Sequence, residues 1–129
     1  MPAQANIIVA EDDAVLRDVY VKKFSLAGFT LRTAKNGQEA IEEIEKKVPD
    51  LLILDLNMPV LDGFGVLERF PRNQRTFPII VLSNFGDTRN KERATQLGAD
   101  DFFVKSEMTI KTLLDKVMTL VKAKDMWKK

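Results

Sequence analysis

The sequence predicts a doubly wound α/β domain built on a central parallel sheet, and three observations predict it. Five short apolar runs recur along the chain, and four of them are nearly continuous in Ile, Val, Leu or Phe. Such runs suit strands covered on both faces, which is the situation in parallel sheets. Between them lie segments whose apolar residues follow helical spacing. Strand and helix patterns alternate five times, giving a (βα)5 order with helices on both faces of the sheet.

The elements follow in order. The first strand is NIIVA (6–10), and in 14–27 Val15, Leu16, Val19, Tyr20, Phe24 and Ala27 follow helical spacing, with Gly28 as the stop. TLRTA (30–34) is polar enough for an edge strand. In 37–48 Ala40, Ile41, Ile44 and Val48 form one stripe, with Asn36 as N-cap and Pro49 just past the end. LLILD (51–55) is the third strand, followed by a short helix over about 63–70 that buries Phe64, Leu67 and Phe70. PIIVL (78–82) is the fourth, followed by a weaker helix over 87–97 with Ala94 and Leu97 inward and Gly98 as its stop. DFFV (101–104) is the fifth. The last helix, 110–124, carries Ile110, Leu113, Leu114, Val117, Leu120 and Val121 behind a Thr109 cap, and KAKDMWKK reads as frayed helix or the start of a linker.

Composition narrows the chemistry. With 129 residues, 45% hydrophobic and 30% charged, the chain has the makings of one soluble globular domain. A net charge of +1 gives no general attraction to nucleic acid or acidic membranes. There is no cysteine and no histidine, which removes disulfides, thiolate metal sites, imidazole bases and an internal phosphohistidine. MPAQAN is not a secretory leader and no apolar run reaches membrane-spanning length, so a cytoplasmic location is the default expectation.

In such folds ligands gather at the carboxyl ends of the strands. Those ends carry Glu11, Asp12 and Asp13 after the first strand, Asp55 after the third, Ser83 after the fourth and Lys105 after the fifth. Carboxylates held close together repel one another and raise each other's pKa unless a cation intervenes. A hard divalent ion such as Mg²⁺ suits oxygen ligands and keeps open positions. Ser83 and Lys105 would bind the remaining oxygens of a phosphoryl group, and an ionised Asp55 could attack phosphorus without a general base. Taken singly, each group has a plainer role: an acidic pair as helix cap, Ser83 as turn hydroxyl, Lys105 as a solvated charge. Their convergence on one rim favours the shared chemical role.

The motifs EDDAVLR, DLNMPVLDG, VLSNFGD and GADDFFVKS make the chain resemble a response-regulator receiver domain of two-component phosphorelays, from the first strand through the last helix. The resemblance implies a flavodoxin-like fold with strand order 2-1-3-4-5 and one receiver domain over 1–129, its ordered core about 5–122. It implies Asp55 as phosphoacceptor, Asp12 as direct Mg²⁺ ligand, Glu11 acting through water, and Asn57 giving its backbone carbonyl to the metal. Mn²⁺ is a possible substitute. Ser83 matches the switch hydroxyl, Lys105 the phosphoryl-pairing lysine and Phe102 the switch aromatic. Asp13 keeps two readings, the boundary of the first helix or a third acid in the metal shell. Two departures stand out: Ser106 replaces the usual proline after the lysine, leaving a trans or strained bond, and Phe102 replaces the frequent tyrosine.

The implied partners are a sensor histidine kinase or histidine phosphotransfer protein as donor and an output protein. No direct contact with nucleic acid or membrane is expected, and the protein would be a monomer or a phosphorylation-dependent dimer. Lys111, Lys116, Lys122, Lys124, Lys128 and Lys129 read as a solvated helix face. The leading reading is a phosphorylatable switch that remodels its fourth-helix, fifth-strand and fifth-helix surface and catalyses only its own phosphorylation and dephosphorylation. The alternatives are a receiver module of a larger regulator, or a degenerate flavodoxin-like ligand-binding domain.

Overall fold

The computed structural model describes residues 5–84 and 88–127, the last four through their helical backbone alone. Strands β1 (Asn6–Ala10), β2 (Thr30–Ala34), β3 (Leu51–Asp55), β4 (Ile79–Ser83) and β5 (Asp101–Val104) form one parallel sheet of order β2-β1-β3-β4-β5. Helices α1 (Ala14–Leu26), α2 (Gly37–Lys46), α3 (Gly63–Arg69), α4 (Thr88–Gln96) and α5 (Ile110–Trp127) alternate with them. The expected fold class, strand order and edge position of TLRTA are those observed.

Right-handed crossovers decide which face each helix covers. The step from β1 to β2 runs one way along the sheet, and every later step runs the other way, so α1 lies opposite α2, α3 and α4. Packing reflects this division. Ile8, Leu52, Leu54, Ile79 and Val81 meet Ala40, Ile41, Ile44, Val66, Leu67 and Ala94 on one face. Ile7, Val9, Leu51, Ile53, Ile80 and Leu82 meet Tyr20, Phe24, Leu113 and Val117 on the other. Burying each such Leu, Ile or Phe contributes about 1.5–3 kcal/mol, so β1, β3 and β4 are the most firmly held elements.

Local signals set most helix ends. Asp13 caps α1 by accepting from the N–H groups of Val15 and Leu16, Asn36 caps α2 through Glu39 N–H, and Thr109 caps α5 through Thr112 N–H. Gly28 and Gly98, at φ +94° and +105°, close α1 and α4 by returning the following N–H groups to Phe24 and Ala94 carbonyls.

Several expectations need correction. Val15 and Ala27 share the apolar spacing of α1 yet are exposed, because the helix rests on the sheet mainly through Tyr20 and Phe24, with Leu16 partly buried beside them. Val48 is exposed because α2 stops at Lys46 and the chain turns away before reaching it. Pro78 precedes β4; its carbonyl accepts from Leu52 N–H, and the strand continues through Ser83. Helix α5 persists to Trp127, beyond the expected 124. Asp87, the expected start of α4, lies outside the described residues. Among the lysines read as a solvated face, Lys111 and Lys122 are exposed, while Lys116 pairs with Asp101 at 3.0 Å. The side chains of Lys124, Lys128 and Lys129 lie outside the described set.

Two charged knots tie loops to the sheet. Arg75, with a side chain only 2% exposed, donates to the carbonyls of Phe70, Phe77 and Gly98 and to the Asp100 carboxylate at 2.7 Å. Arg32 on the edge strand donates to Glu43 and to the Glu43 and Lys47 carbonyls at the end of α2. Arg75→Met should cost about 3–5 kcal/mol, the loss expected when one partner of a buried pair is removed, read as a lower urea midpoint. Lys46, with Arg32 adding to it, holds the Glu43 carboxyl below its ordinary 4.5 against the opposing pull of burial. Glu43 therefore stabilises the fold above pH 4.5, and that stability is lost as pH falls through the lowered folded value. The stability difference between wild type and Glu43→Gln should shrink to nothing on acidification below 4.5.

Candidate functional site

The strand order places the site before any side chain is considered. The chain leaves β1 towards one face of the sheet and leaves adjacent β3 towards the other, so a crevice opens between their carboxyl ends. Glu11 follows β1, its N–H bonded to Ala34 O at 2.9 Å, and Asp55 ends β3. Each is 1% exposed. Oxygen atoms from Glu11, Asp12 and Asp55 lie within 4.8 Å of one another.

Lys105, arriving from β5, reconciles these charges. Its ammonium donates to Glu11 Oε1 at 2.6 Å and to Asp55 Oδ2 at 2.9 Å. The other oxygens are also engaged: Asn57 N–H donates to Asp55 Oδ1 at 3.2 Å, and Asp13 N–H to Glu11 Oε2 at 3.2 Å. Burial, followed by repulsion and bonding with Asp55, pushes the Glu11 carboxyl up, and the Lys105 bond only partly offsets it. Asp12 is raised too, by desolvation and then by Glu11. Burial alone would lower Lys105, but its bonds to Glu11 and Asp55 outweigh it and raise the value, so the amine stays a cation at neutral pH.

The structure thus brings Glu11, Asp12, Asp55 and Lys105 together. Ser83 ends β4, next to β3, fully buried and in register with Val104. Asn57 is exposed two residues beyond Asp55. Phe102 is half-buried on the face covered by α2, α3 and α4, whereas Phe103 packs on the α1 and α5 face. Asp13 spends its carboxylate on the α1 cap and stands outside the three-carboxylate group. The Lys105–Ser106 bond is trans, since the described residues contain no cis peptide. A one-turn 3-10 helix, Lys105–Glu107, takes the chain on from there.

Two participants escaped the sequence reading. Arg17 donates to the Glu11 carbonyl at 2.7 Å and fixes the acidic loop from α1. Its only signal was a cation six residues after Glu11 on a helix that starts beside it. Tyr20 lies beneath the cluster, and its phenol is pushed up to about 12 by burial first and then by Glu11. Helical spacing marked it only as core.

The donor set fits a hard divalent cation. It offers carboxylate oxygens and no sulfur or imidazole, and the burial and, after it, the mutual repulsion that raise Glu11 and Asp12 are what a bound cation would offset. Fold and site together define a class: domains that present an acidic cluster and a lysine at the carboxyl rim of a doubly wound sheet.

Residues 7–118 match the family described as the response regulator receiver domain. The chain is 34% identical over 105 residues to the probable transcriptional regulator ycf27 of Guillardia theta, covering 81% of this chain and 41% of that protein. It is 33% identical over 100 residues to the transcriptional regulatory protein PrrA of Mycobacterium bovis, covering 78% and 43%. Among solved structures, the receiver domain of the Francisella response regulator 1452 superposes with a TM-score of 0.87 at 30% identity, covering 93% of this chain and 98% of that one. The Vibrio cholerae chemotaxis protein CheY4 gives 0.82 at 29%, covering 92% and 99%. The chain belongs to the response regulator receiver domain family of two-component signalling. It spans less than half the length of these curated relatives, 41% and 43% for the two. Among the described residues no helix is long and apolar enough to cross a membrane.

Removing one carboxylate should relieve the repulsion. Asp12→Asn is expected to raise the melting temperature of the metal-free protein by a few degrees. Mg²⁺ is expected to raise the wild-type melting temperature, and Asp12→Asn should lose most of that rise, both read by differential scanning calorimetry.

Proposed function

We propose that this receiver domain is a phosphorylatable switch in which Asp55 accepts a phosphoryl group from a phosphohistidine on a partner kinase or phosphotransfer protein. The observation that carries this reading is the cluster of Glu11, Asp12 and Asp55 carboxylates, two of which, Glu11 and Asp55, pair with the Lys105 ammonium. A carboxylate oxygen of Asp55 attacks phosphorus, a P–O bond forms, and the P–N bond to the partner's imidazole breaks. The bonding pair stays on the imidazole nitrogen, which takes its proton from solvent. The product is an acyl phosphate, and no base on this chain is required. These 129 residues supply no phosphohistidine of their own, since they contain no histidine.

Asp12, Asp55, the Asn57 carbonyl and, through water, Glu11 would hold Mg²⁺, with Mn²⁺ as substitute. The ion would neutralise charge on the transferring phosphoryl oxygens. Lys105, already a cation, follows the phosphoryl oxygens that replace the Asp55 carboxylate as its partner. The Ser83 hydroxyl, next to Asp55 on the neighbouring strand, is drawn to the same group. Its shift frees space on the face where Phe102 packs, and the surface of α4, β5 and α5 carries the signal outward.

The curated relatives named as transcriptional regulators support an output in gene control. There the receiver would act on a partner or on an attached output domain, not on nucleic acid directly.

Intact-mass measurement after incubation with acetyl phosphate and Mg²⁺ should show one added phosphoryl group, lost with EDTA and absent in Asp55→Asn. No mass increase in wild type would end the phosphorylation reading, and labelling that survives Asp55→Asn would move the acceptor elsewhere.

A further inference from the structure

The loop that carries Asn57 leaves β3 after Asp55 and re-enters structure at Gly63, and it is clamped at both base and tip. At the base, Gly63 N–H donates to Leu56 O at 3.0 Å. A Cβ on Gly63 would stand 2.6 Å from the Asp55 carbonyl oxygen, so loop and helix meet there without room for a side chain. At the tip, Gly37 N–H, from the first residue of α2, donates to Leu61 O at 2.9 Å.

Between the clamps lies a strained turn. Leu61 N–H returns to Pro59 O at 2.7 Å, and Val60 sits at φ +69°. This is a γ-turn of the rare positive-φ kind, with a β-branched residue at its centre. Strain of that sort costs on the order of 1–3 kcal/mol and persists only where the surroundings over-determine it. Val60 is 82% exposed, so burial of its side chain does not repay the strain. The clamps must hold it.

Gly37 is glycine for want of space rather than for its dihedral angles. The positive-φ glycines are Gly28 and Gly98, and Gly37 belongs to α2. A Cβ at 37 would collide with the backbone carbonyl oxygen of Leu61. Helix propensity by itself would favour alanine there. Capping does not explain the residue either, because alanine offers the same N–H.

We propose that Gly37 is a positioning residue for the divalent-cation site: by seating the Leu61 carbonyl it fixes the γ-turn, and the γ-turn fixes the direction of the Asn57 carbonyl. The inference rests on the reading of Asn57 as a metal-facing carbonyl. It assigns to α2, an element that supplies no ligand, a share in metal affinity.

The test is Gly37→Ala, followed by calorimetric titration with Mg²⁺ and by phosphorylation rates across Mg²⁺ concentrations. The helix signal in circular dichroism should hold. The Mg²⁺ Kd should rise about tenfold, the lower end of what loss of a ligand-orienting group costs. Phosphorylation should slow by the same factor at low Mg²⁺ and recover to the wild-type rate at saturating Mg²⁺, a split that general destabilisation would not produce. Should Gly37→Ala fail to fold, Gly37→Ala with Val60→Gly lets the turn retreat from the added methyl, and this double variant should fold with the same raised Kd. Wild-type affinity in whichever variant folds overturns the proposal. If wild type itself binds no Mg²⁺, the failure belongs to the proposed function instead.

Discussion

One ammonium group holds the working end of this domain together. Glu11 and Asp55 cap strands that are apolar on both faces, so their carboxylates are carried out of water by the burial that stabilises the sheet. Uncompensated, two such charges would cost several kcal/mol each. Lys105 meets both, bridging 94 and 50 residues of sequence. To do so it must reach from β5 past the end of β4 to β3 and β1. Ser83 ends β4, the strand that lies between β3 and β5. The interaction therefore constrains four strands at once, and it forms only when the sheet has its full order.

That dependence on order shows how the site and the fold share one cause. Handedness sends the connection after β1 and the connection after β3 to opposite faces, and the crevice between them is where Glu11, Asp12 and Asp55 collect. No acidic residue had to be drawn to a pocket. The sheet rim delivers three carboxylates to one place, and their burial and mutual repulsion, which together raise Glu11 and Asp12, make that place attractive to a cation.

The same reasoning separates what was legible in the sequence from what was not. Buried parallel strands announce themselves as aliphatic runs, and side-chain caps such as Asp13, Asn36 and Thr109 act within a few residues of their own position. Both are local signals, and the strand-end groups follow once the strands are placed. Spacing could not tell that Val15 and Ala27 face water, since a helix lying on a sheet buries a narrower stripe than its apolar residues suggest. Nor could it find Arg17 or Gly37. Arg17 matters because a helix folds back over the loop that precedes it, and Gly37 because a turn 24 residues away comes to rest against its backbone (61 − 37 = 24). Contacts of that kind leave no periodicity in the sequence.

The distribution of burial also says where a charge added at Asp55 can be felt. Helix α2 buries Gly37, Ala40, Ile41 and Ile44, whereas α4 buries Ala94 alone. What ties α4 to α3 is largely Arg93, stacked 4.0 Å over the Phe64 ring and 3.8 Å from Glu68 at the surface. Exposed contacts of this type contribute about 1 kcal/mol or less each, so α4 is held by far less than its neighbours. On the proposed reading, a phosphoryl group on Asp55 would compete with Glu11 for Lys105 and would pull on Ser83 at the end of β4, ahead of α4. Under such a change the strands and α2 would be expected to stay fixed, while α4, with Phe102 on the same face, is the element held weakly enough to respond.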